Sequence, residues 1–136
     1  MKRAFTTIAD FIRNLFVTQS MPWTIHESKD SKKRVLICFI IAPFYLTKRS
    51  IKHANVIESR IIAREFHKLG YSVDVVDYRC TRKINYSKYD VIFGFGVPFS
   101  NSFEYELQLK RICYLNGSSP NFSNEREAMR IRDIYN

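Results

Sequence analysis

Glycine is scarce in this sequence, which limits how the chain could hold a phosphate-containing cofactor. There are 4 glycines among 136 residues, and Gly94 and Gly96 form the one G-x-G. The third glycine of the dinucleotide-binding fingerprint is missing, and the pair follows the third strand-like segment instead of the first. We therefore discount a dinucleotide cradle. From the residues alone, both glycines are interpreted as small residues that let the chain turn close to neighbouring backbone.

Cysteines and long apolar runs are also few. The 3 cysteines, Cys38, Cys80 and Cys113, form no C-x-x-C pair, which favours structural thiols in a reducing setting and predicts no metal site. Cys38 and Cys113 lie in apolar strand-like runs, so we expect both to be buried. The longest apolar run, residues 35–46, is interrupted by Pro43 and is shorter than the roughly 20 residues of a membrane-spanning helix.

Acidic residues are outnumbered by basic ones. The chain has 22 lysines and arginines against 13 acidic residues, a net charge of +9. This excess favours an anionic partner: nucleic acid, a phosphorylated substrate or an acidic membrane surface. Nucleic-acid binding requires basic residues interleaved with exposed aromatic ones, whereas the 8 tyrosines and 11 phenylalanines fall mostly in strand-like runs or on apolar helix faces. We therefore expect no nucleic-acid partner.

Residues 1–31 are predicted to form an N-terminal amphipathic helix and a charged linker. Apolar residues recur at helical spacing at Phe5, Ile8, Ala9, Ile12, Leu15 and Phe16, which gives one apolar stripe. Two interpretations remain open for this helix. It either packs on the domain or lies on an anionic membrane surface. The polar stretch 26–34 is typical of a linker.

Residues 32–136 alternate between strand and helix patterns. Strands are predicted at 34–41, 71–78, 88–96 and 110–117, and helices at 55–70, at 101–110 and from Asn124. Capping-box spacings at Asn55 and at Asn101, together with Gly70 as a stop, support two of the helices. Alternating elements with buried-type strands predict an α/β fold: a Rossmann-like, mostly parallel sheet with flanking helices.

Ligands of such sheets bind beyond the carboxyl ends of the strands, where two polar loops are predicted. The first follows the first strand and carries Lys48, Arg49, Lys52, His53 and Asn55. Its basic side chains suit a phosphate or a lipid headgroup, or they are simply solvated. His53 is a candidate general base, or a helix-start residue bonded to backbone.

The second polar loop follows the fourth strand. Asn116, Ser118 and Ser119 offer side-chain and backbone donors that suit an anion or sugar hydroxyls, and they also fit an ordinary loop with a helix cap. Asp77, at the end of the second strand, occupies the position of a ribose-binding acid. Without a glycine loop upstream, we interpret it as a turn acid.

A family resemblance rests on four consecutive segments: "KKRVLICFIIAPF", "KHANVIESRIIAREFHKLGYSVDVVDY", "INYSKYDVIFGFG" and "RICYLNGSSPNFSNEREAMRIRDI". Together they resemble the N-terminal half of bacterial GT-B glycosyltransferases, of the group-one type that acts on surface polysaccharides. The resemblance covers residues 32–136, and its most telling piece is the helix that leads from Asn55 into "LGYSVDVVDY".

The resemblance implies a specific role for the chain. In that family, one Rossmann-like domain mostly binds the acceptor, a second binds the nucleotide sugar, and no cofactor is required. It therefore implies an acceptor-side domain, inactive alone because the donor-binding half is missing. The expected partners are a glycan or lipid-linked acceptor, and a nucleotide sugar only with a second domain. The expected location is cytoplasmic, and a peripheral position at the inner face of the membrane stays open.

The resemblance also implies acceptor-side residues between Pro43 and Asn55, with His53, and between Gly94 and Gly96. Together with the second polar loop, this gives His53 as the catalytic candidate and, as substrate-binding candidates, Lys48, Arg49, Lys52, Asn55, Gly94, Gly96, Asn116, Ser118 and Ser119. A different class of function stays open as the alternative: a non-catalytic α/β binding or scaffolding module whose basic N-terminal helix faces a membrane.

Overall fold

The computed structural model describes residues 18–45 and 54–115, together with residues 15, 125, 128–130 and 132. The strands are β1 (Trp23–His26), β2 (Arg34–Phe39), β3 (Ser72–Asp77), β4 (Val91–Gly94) and β5 (Lys110–Cys113). The helices are α1 (Ala42–Tyr45), α2 (Ala54–Lys68) and α3 (Val97–Asn101), with 3-10 turns at Tyr86–Lys88 and Ser102–Glu104. The predicted C-terminal helix and most of the predicted N-terminal one lie outside the described residues.

One mostly parallel sheet organises these elements. Its strand order is β1-β3-β2-β4-β5. Strands β2 to β5 run parallel to their neighbours, and only β1 is antiparallel, pairing with β3. The predicted α/β class with a Rossmann-like, mostly parallel sheet is therefore confirmed.

The two faces of the sheet are both covered, which explains the continuous apolar run of the central strand β2. On one face, Val35, Ile37 and Val73 pack against Ala63 and other residues of α2. The opposite face carries a second cluster, formed by Leu36, Cys38, Val76, Cys80, Ile84, Tyr86, Tyr89, Ile92 and Phe99. Cys38 is thus buried as expected, whereas Cys113 is exposed because it ends a strand at the edge of the sheet.

Helix α2 ends as its sequence predicts. Gly70 adopts a φ of 88°, and its amide donates to the carbonyl of His67 at 2.9 Å while the Tyr71 amide donates to that of Phe66 at 3.1 Å. This pair of bonds is a Schellman cap, which favours glycine at its left-handed position. The cap turns the chain directly into β3.

Strand β1 was not predicted, because its four residues lie in the segment assigned to helix and linker. Strand β1 is held in place by its pairing with β3. Trp23 and Thr24 pair with Val75 and Asp74, and the Thr24 hydroxyl donates to the Asp74 carboxylate at 2.7 Å. A four-residue strand carries too little alternation to be recognised from sequence. Its long-range pairing supplies the missing information.

The helix predicted at residues 101–110 is wrong in its position. The helical segment begins earlier, at Val97, with Pro98 in its first turn, where proline is well tolerated. It ends in a 3-10 turn at Glu104, and Asn101 makes no side-chain capping bond. The guanidinium of Arg111 donates to the carbonyls of Ser102 and Tyr105, which replaces the helical hydrogen bonds of a longer helix.

A buried carboxylate fastens the sheet towards its amino-terminal end. Asp74, nearly inaccessible to solvent, accepts hydrogen bonds from Arg34 at 2.8 Å and from the Tyr89 hydroxyl at 2.8 Å, besides Thr24. Burial, then the Asp74 charge, raises the pKa of Tyr89, so this hydroxyl stays a donor. A charge buried in this way is stable only when it is paired and hydrogen-bonded.

None of the helices in the described part of the chain has the length and apolar character needed to cross a membrane.

Candidate functional site

The candidate site is the carboxyl-terminal edge of the sheet where β2 and β4 lie side by side. From β2 the chain continues to β3 on one side, and from β3 it crosses to β4 on the other. The connections therefore leave in opposite directions, and such a switch point is where ligands of open α/β sheets bind. Gly94 and Gly96, predicted as substrate-side residues, lie at this switch point.

Both glycines are packed against neighbouring backbone. A Cβ atom on Gly94 would lie 2.0 Å from the Cys38 carbonyl oxygen, and one on Gly96 would lie 2.2 Å from that of Tyr78. The next amides bond to the same carbonyls: Phe95 to Cys38 at 3.1 Å, and Val97 to Tyr78 at 2.8 Å. The structure thus gives the two glycines the packing role expected from the residues alone. Their contact with a substrate stays a prediction.

The other predicted site residues are not brought together by described coordinates. Lys48, Arg49, Lys52 and His53 lie outside the described residues, as do Asn116, Ser118 and Ser119. Asn55 is in the first turn of α2, and its side chain is likewise outside the description. Their roles remain predictions.

Tyr114, the residue after β5, lies beside the switch point. Its amide donates to the Gly94 carbonyl at 3.0 Å. Residues 46–53 and 116–120, which carry the two predicted polar loops, follow α1 and β5 in the sequence, and their contacts with a ligand stay predictions.

Aromatic rings close the floor of this edge. The ring of Phe39 meets those of Phe95 and Tyr114 with centroids 5.4 and 5.9 Å apart, and Tyr78 meets Phe95 at 5.1 Å. These spacings are typical of favourable aromatic pairs. The rings give the edge an apolar floor on which only a few polar groups are placed.

Glu58 and Tyr114 form a polar pair at this edge that the sequence analysis missed. The Tyr114 hydroxyl donates a short hydrogen bond to the Glu58 carboxylate, and this bond, with a smaller contribution from burial, raises the pKa of Tyr114. The two residues are 56 positions apart. In the sequence, Glu58 stands three residues after Asn55, which is the spacing of a capping box and points to no ligand. Its carboxylate can accept hydrogen bonds from hydroxyl groups, and Tyr114 can both donate and accept.

Asp77 closes a turn at the same edge. Its carboxylate is buried and accepts from the Arg79 amide at 3.1 Å and from the Arg79 Nε at 3.0 Å. The hydrogen bond to Asp77, the largest cause, raises the pKa of Arg79. The bond to the amide two residues on is that of an Asx turn, which agrees with the turn-acid interpretation. The Arg79 guanidinium lies over the Tyr78 ring, 5.2 Å from its centroid.

Within the described part of the chain, no three His, Cys, Asp or Glu side chains come together as metal ligands. Comparison of the chain with protein families, with curated proteins and with solved structures finds no match in any of the three.

Proposed function

We propose that residues 32–136 form the acceptor-side half of a GT-B-type glycosyltransferase, which transfers a sugar from a nucleotide sugar to a glycan or lipid-linked acceptor. The observation that carries the proposal is the switch point between β2 and β4. Aromatic rings and the Glu58–Tyr114 pair lie at this switch point. Its two glycines are packed against neighbouring backbone. Such a surface suits an uncharged polyol better than a diphosphate.

The chemistry of the pair supports sugar hydroxyls as its ligands. A carboxylate accepts hydrogen bonds only, whereas a phenol can donate one and accept others. Together with the flat ring of Tyr114, they provide both hydrogen bonding and an apolar surface for one face of a sugar. In the proposed reaction, the oxygen of an acceptor hydroxyl attacks the anomeric carbon of the donor sugar, and a base accepts the proton of that hydroxyl. The nucleoside diphosphate leaves from the anomeric carbon. His53 is the predicted base.

The donor is assigned to a second domain, so we expect residues 32–136 to be inactive alone. This assignment rests on the resemblance and on the lack of a glycine-rich phosphate cradle among the described residues. Because nucleotide sugars are the donors, we place the protein on the cytoplasmic side, where it would act peripherally at the inner face of the membrane.

Ligand binding to the isolated chain tests the proposal. We expect binding on an array of bacterial surface oligosaccharides and no tight binding of UDP- or GDP-sugars by isothermal titration calorimetry. Glu58→Gln and Tyr114→Phe should weaken oligosaccharide binding. Glu65→Gln, an exposed substitution elsewhere on α2, serves as the control and should leave it unchanged. Tight, specific binding of a nucleotide sugar to this chain would contradict the proposal.

A second candidate is a non-catalytic α/β binding or scaffolding module with a membrane-facing N-terminal helix. Leu15, the described member of the predicted apolar stripe, is 52% exposed, which favours an external contact for that stripe. Replacing Ile8 and Ile12 by Asp should then abolish vesicle sedimentation at low salt, where attraction to anionic lipid is strongest. Unchanged sedimentation would remove this candidate.

A further inference from the structure

An exposed apolar face surrounds Trp23. Two hollows of about 640 and 780 Å³ adjoin there, and Trp23 lines both. Six apolar side chains at these hollows are between 44% and 56% exposed, and we call them the Trp23 face: Leu15, Met21, Trp23, Tyr45, Ile57 and Ile61. Scattered exposed apolar side chains are ordinary on a protein surface, whereas a contiguous group of large ones marks an interaction site.

The strand order explains why this face is open. Strand β1 ends the sheet beside β3, while α2 packs its buried side, with Ala63, on the core of β2 and β3. Ile25 packs against the same core, but Trp23 remains 49% exposed. The outer row of α2, Ile57 and Ile61, borders the hollow instead of covering it.

Positive charge lines this face. The described residues that line the two hollows include Arg60 and Arg64 and no aspartate or glutamate, and Glu65, which pairs with Arg64 at 3.4 Å, is not among them. These arginines are one helical turn apart, next to the row of Ile57 and Ile61. Arg60 donates from its Nε to the Pro43 carbonyl at 2.8 Å, which fixes its guanidinium beside the hollow.

The charge balance of the whole chain also favours an anionic partner. The net charge of the whole chain is +9.

We propose that the Trp23 face docks the protein on an anionic membrane surface. Tryptophan and tyrosine favour the boundary between lipid headgroups and acyl chains, because their rings are apolar and carry a polar group. Arginines beside them are attracted by the negative potential of anionic lipids. A second copy of the chain fits less well, since a two-fold contact would bring Arg60 and Arg64 towards their own counterparts. The inference does not depend on sugar transfer.

Trp23 itself provides the probe, because it is the one tryptophan in the chain. We expect the full-length protein to sediment with vesicles of phosphatidylcholine plus phosphatidylglycerol at low salt, and not with phosphatidylcholine alone. Binding should shift Trp23 emission to the blue, and brominated lipids should quench it. Added salt should weaken the binding by screening.

Substitutions in the face locate the contact. Replacing Ile57 and Ile61 together by serine should weaken vesicle binding by about tenfold or more, through lost apolar burial. Arg64→Gln should weaken it by about fivefold, since one basic residue near an anionic surface contributes about that much. Leu69→Ser is the matched control, because Leu69 is 72% exposed and lines neither hollow. Unfolding midpoints of all variants verify that the fold is intact.

Several results would overturn the proposal. One is vesicle binding that leaves Trp23 emission unchanged, since another surface would then carry the contact. A second is no sedimentation with anionic vesicles at low salt. A third is a blue shift without vesicles that accompanies dimer formation in sedimentation equilibrium, because the face would then be an interface between two copies.

Discussion

At the amino-terminal end of the sheet, charged and hydroxyl groups fasten the strands, whereas aromatic rings and glycines close the carboxyl-terminal end. Asp74 accepts from Arg34, Thr24 and Tyr89, and the Arg34 amide donates to the Asp90 carboxylate at 2.7 Å. The carboxyl-terminal end instead relies on ring contacts. We infer that the amino-terminal end of the sheet stabilises the fold, and that the carboxyl-terminal end leaves polar groups available to a ligand.

The largest expected effect is at the amino-terminal end. Asp74→Ala should lower the free energy of unfolding by about 3–5 kcal/mol, because it leaves the partly buried Arg34 without its buried partner. Urea denaturation measures the change. Glu65→Gln, which removes an exposed pair with Lys68, is the control and should leave the midpoint unchanged. Equal effects of the two substitutions would show that the Asp74 network does not fasten the sheet.

At the carboxyl-terminal end, the largest effect should come from backbone crowding. Gly94→Ala should destabilise the fold by about 3 kcal/mol, since its Cβ would meet the Cys38 carbonyl and its φ of 121° is strained for alanine. Gly70→Ala is the matched control: its φ is also positive, but its nearest neighbour is 4.0 Å away. We expect it to cost only about 1 kcal/mol. Equal costs in denaturation would remove the close-packing explanation for Gly94.

Some strands of the fold were predictable from the sequence, and one was not. Strand β2 was predictable because every residue from Val35 to Phe39 is buried, which requires a nearly continuous apolar run. Strand β3 was predictable from its short β-branched pattern, although three of its six buried residues, Ser72, Asp74 and Asp77, are polar. Strand β1 was not predictable, since its residues are partly exposed and its pairing with β3 is long-range.

The candidate site was predictable in its place but not in its polar pair. Gly94 and Gly96 lie at the end of the third predicted strand. In a parallel sheet all strands end at the same edge, so both glycines are expected at the carboxyl-terminal edge. The meeting of Glu58 with Tyr114 depends on how α2 crosses the sheet towards the end of β5. A local sequence pattern does not predict a contact between two residues so far apart in the chain.

A smaller effect is expected from pH at the β1 edge. The His26 and His67 rings stack with centroids 4.8 Å apart, and burial, then the His67 charge, lowers the pKa of His26 below 6.5. The unfolded chain therefore binds a proton at higher pH than the folded one. The contribution of His26 to the free energy of unfolding is therefore complete above pH 6.5. It is lost as the pH falls through the lower pKa that His26 has in the folded protein.

Urea midpoints between about pH 7.5 and pH 5 measure this loss. His26→Phe should flatten the decline relative to the wild-type protein. A wild-type midpoint that rises on acidification in this range, while the variant stays flat, would contradict the direction of the His26 shift.

The smallest change in stability is expected from Tyr114→Phe, which keeps the ring and its contact with Phe93 at 5.3 Å. If the carboxyl-terminal end serves ligand binding, this substitution should leave the urea midpoint nearly unchanged and still weaken oligosaccharide binding. Loss of stability as large as that of Asp74→Ala would instead make the Glu58–Tyr114 bond a structural fastener. The division between the two ends of the sheet would then fail.

The most direct test of the central claim is a pair of NMR titrations of the ¹⁵N-labelled chain, one with surface oligosaccharides and one with UDP- and GDP-sugars. The account predicts that oligosaccharides shift the amides of Gly94, Gly96 and Tyr114, and that the nucleotide sugars shift none of them. Saturable shifts of these amides by a nucleotide sugar, without a response to oligosaccharides, would contradict an acceptor-side role for this edge.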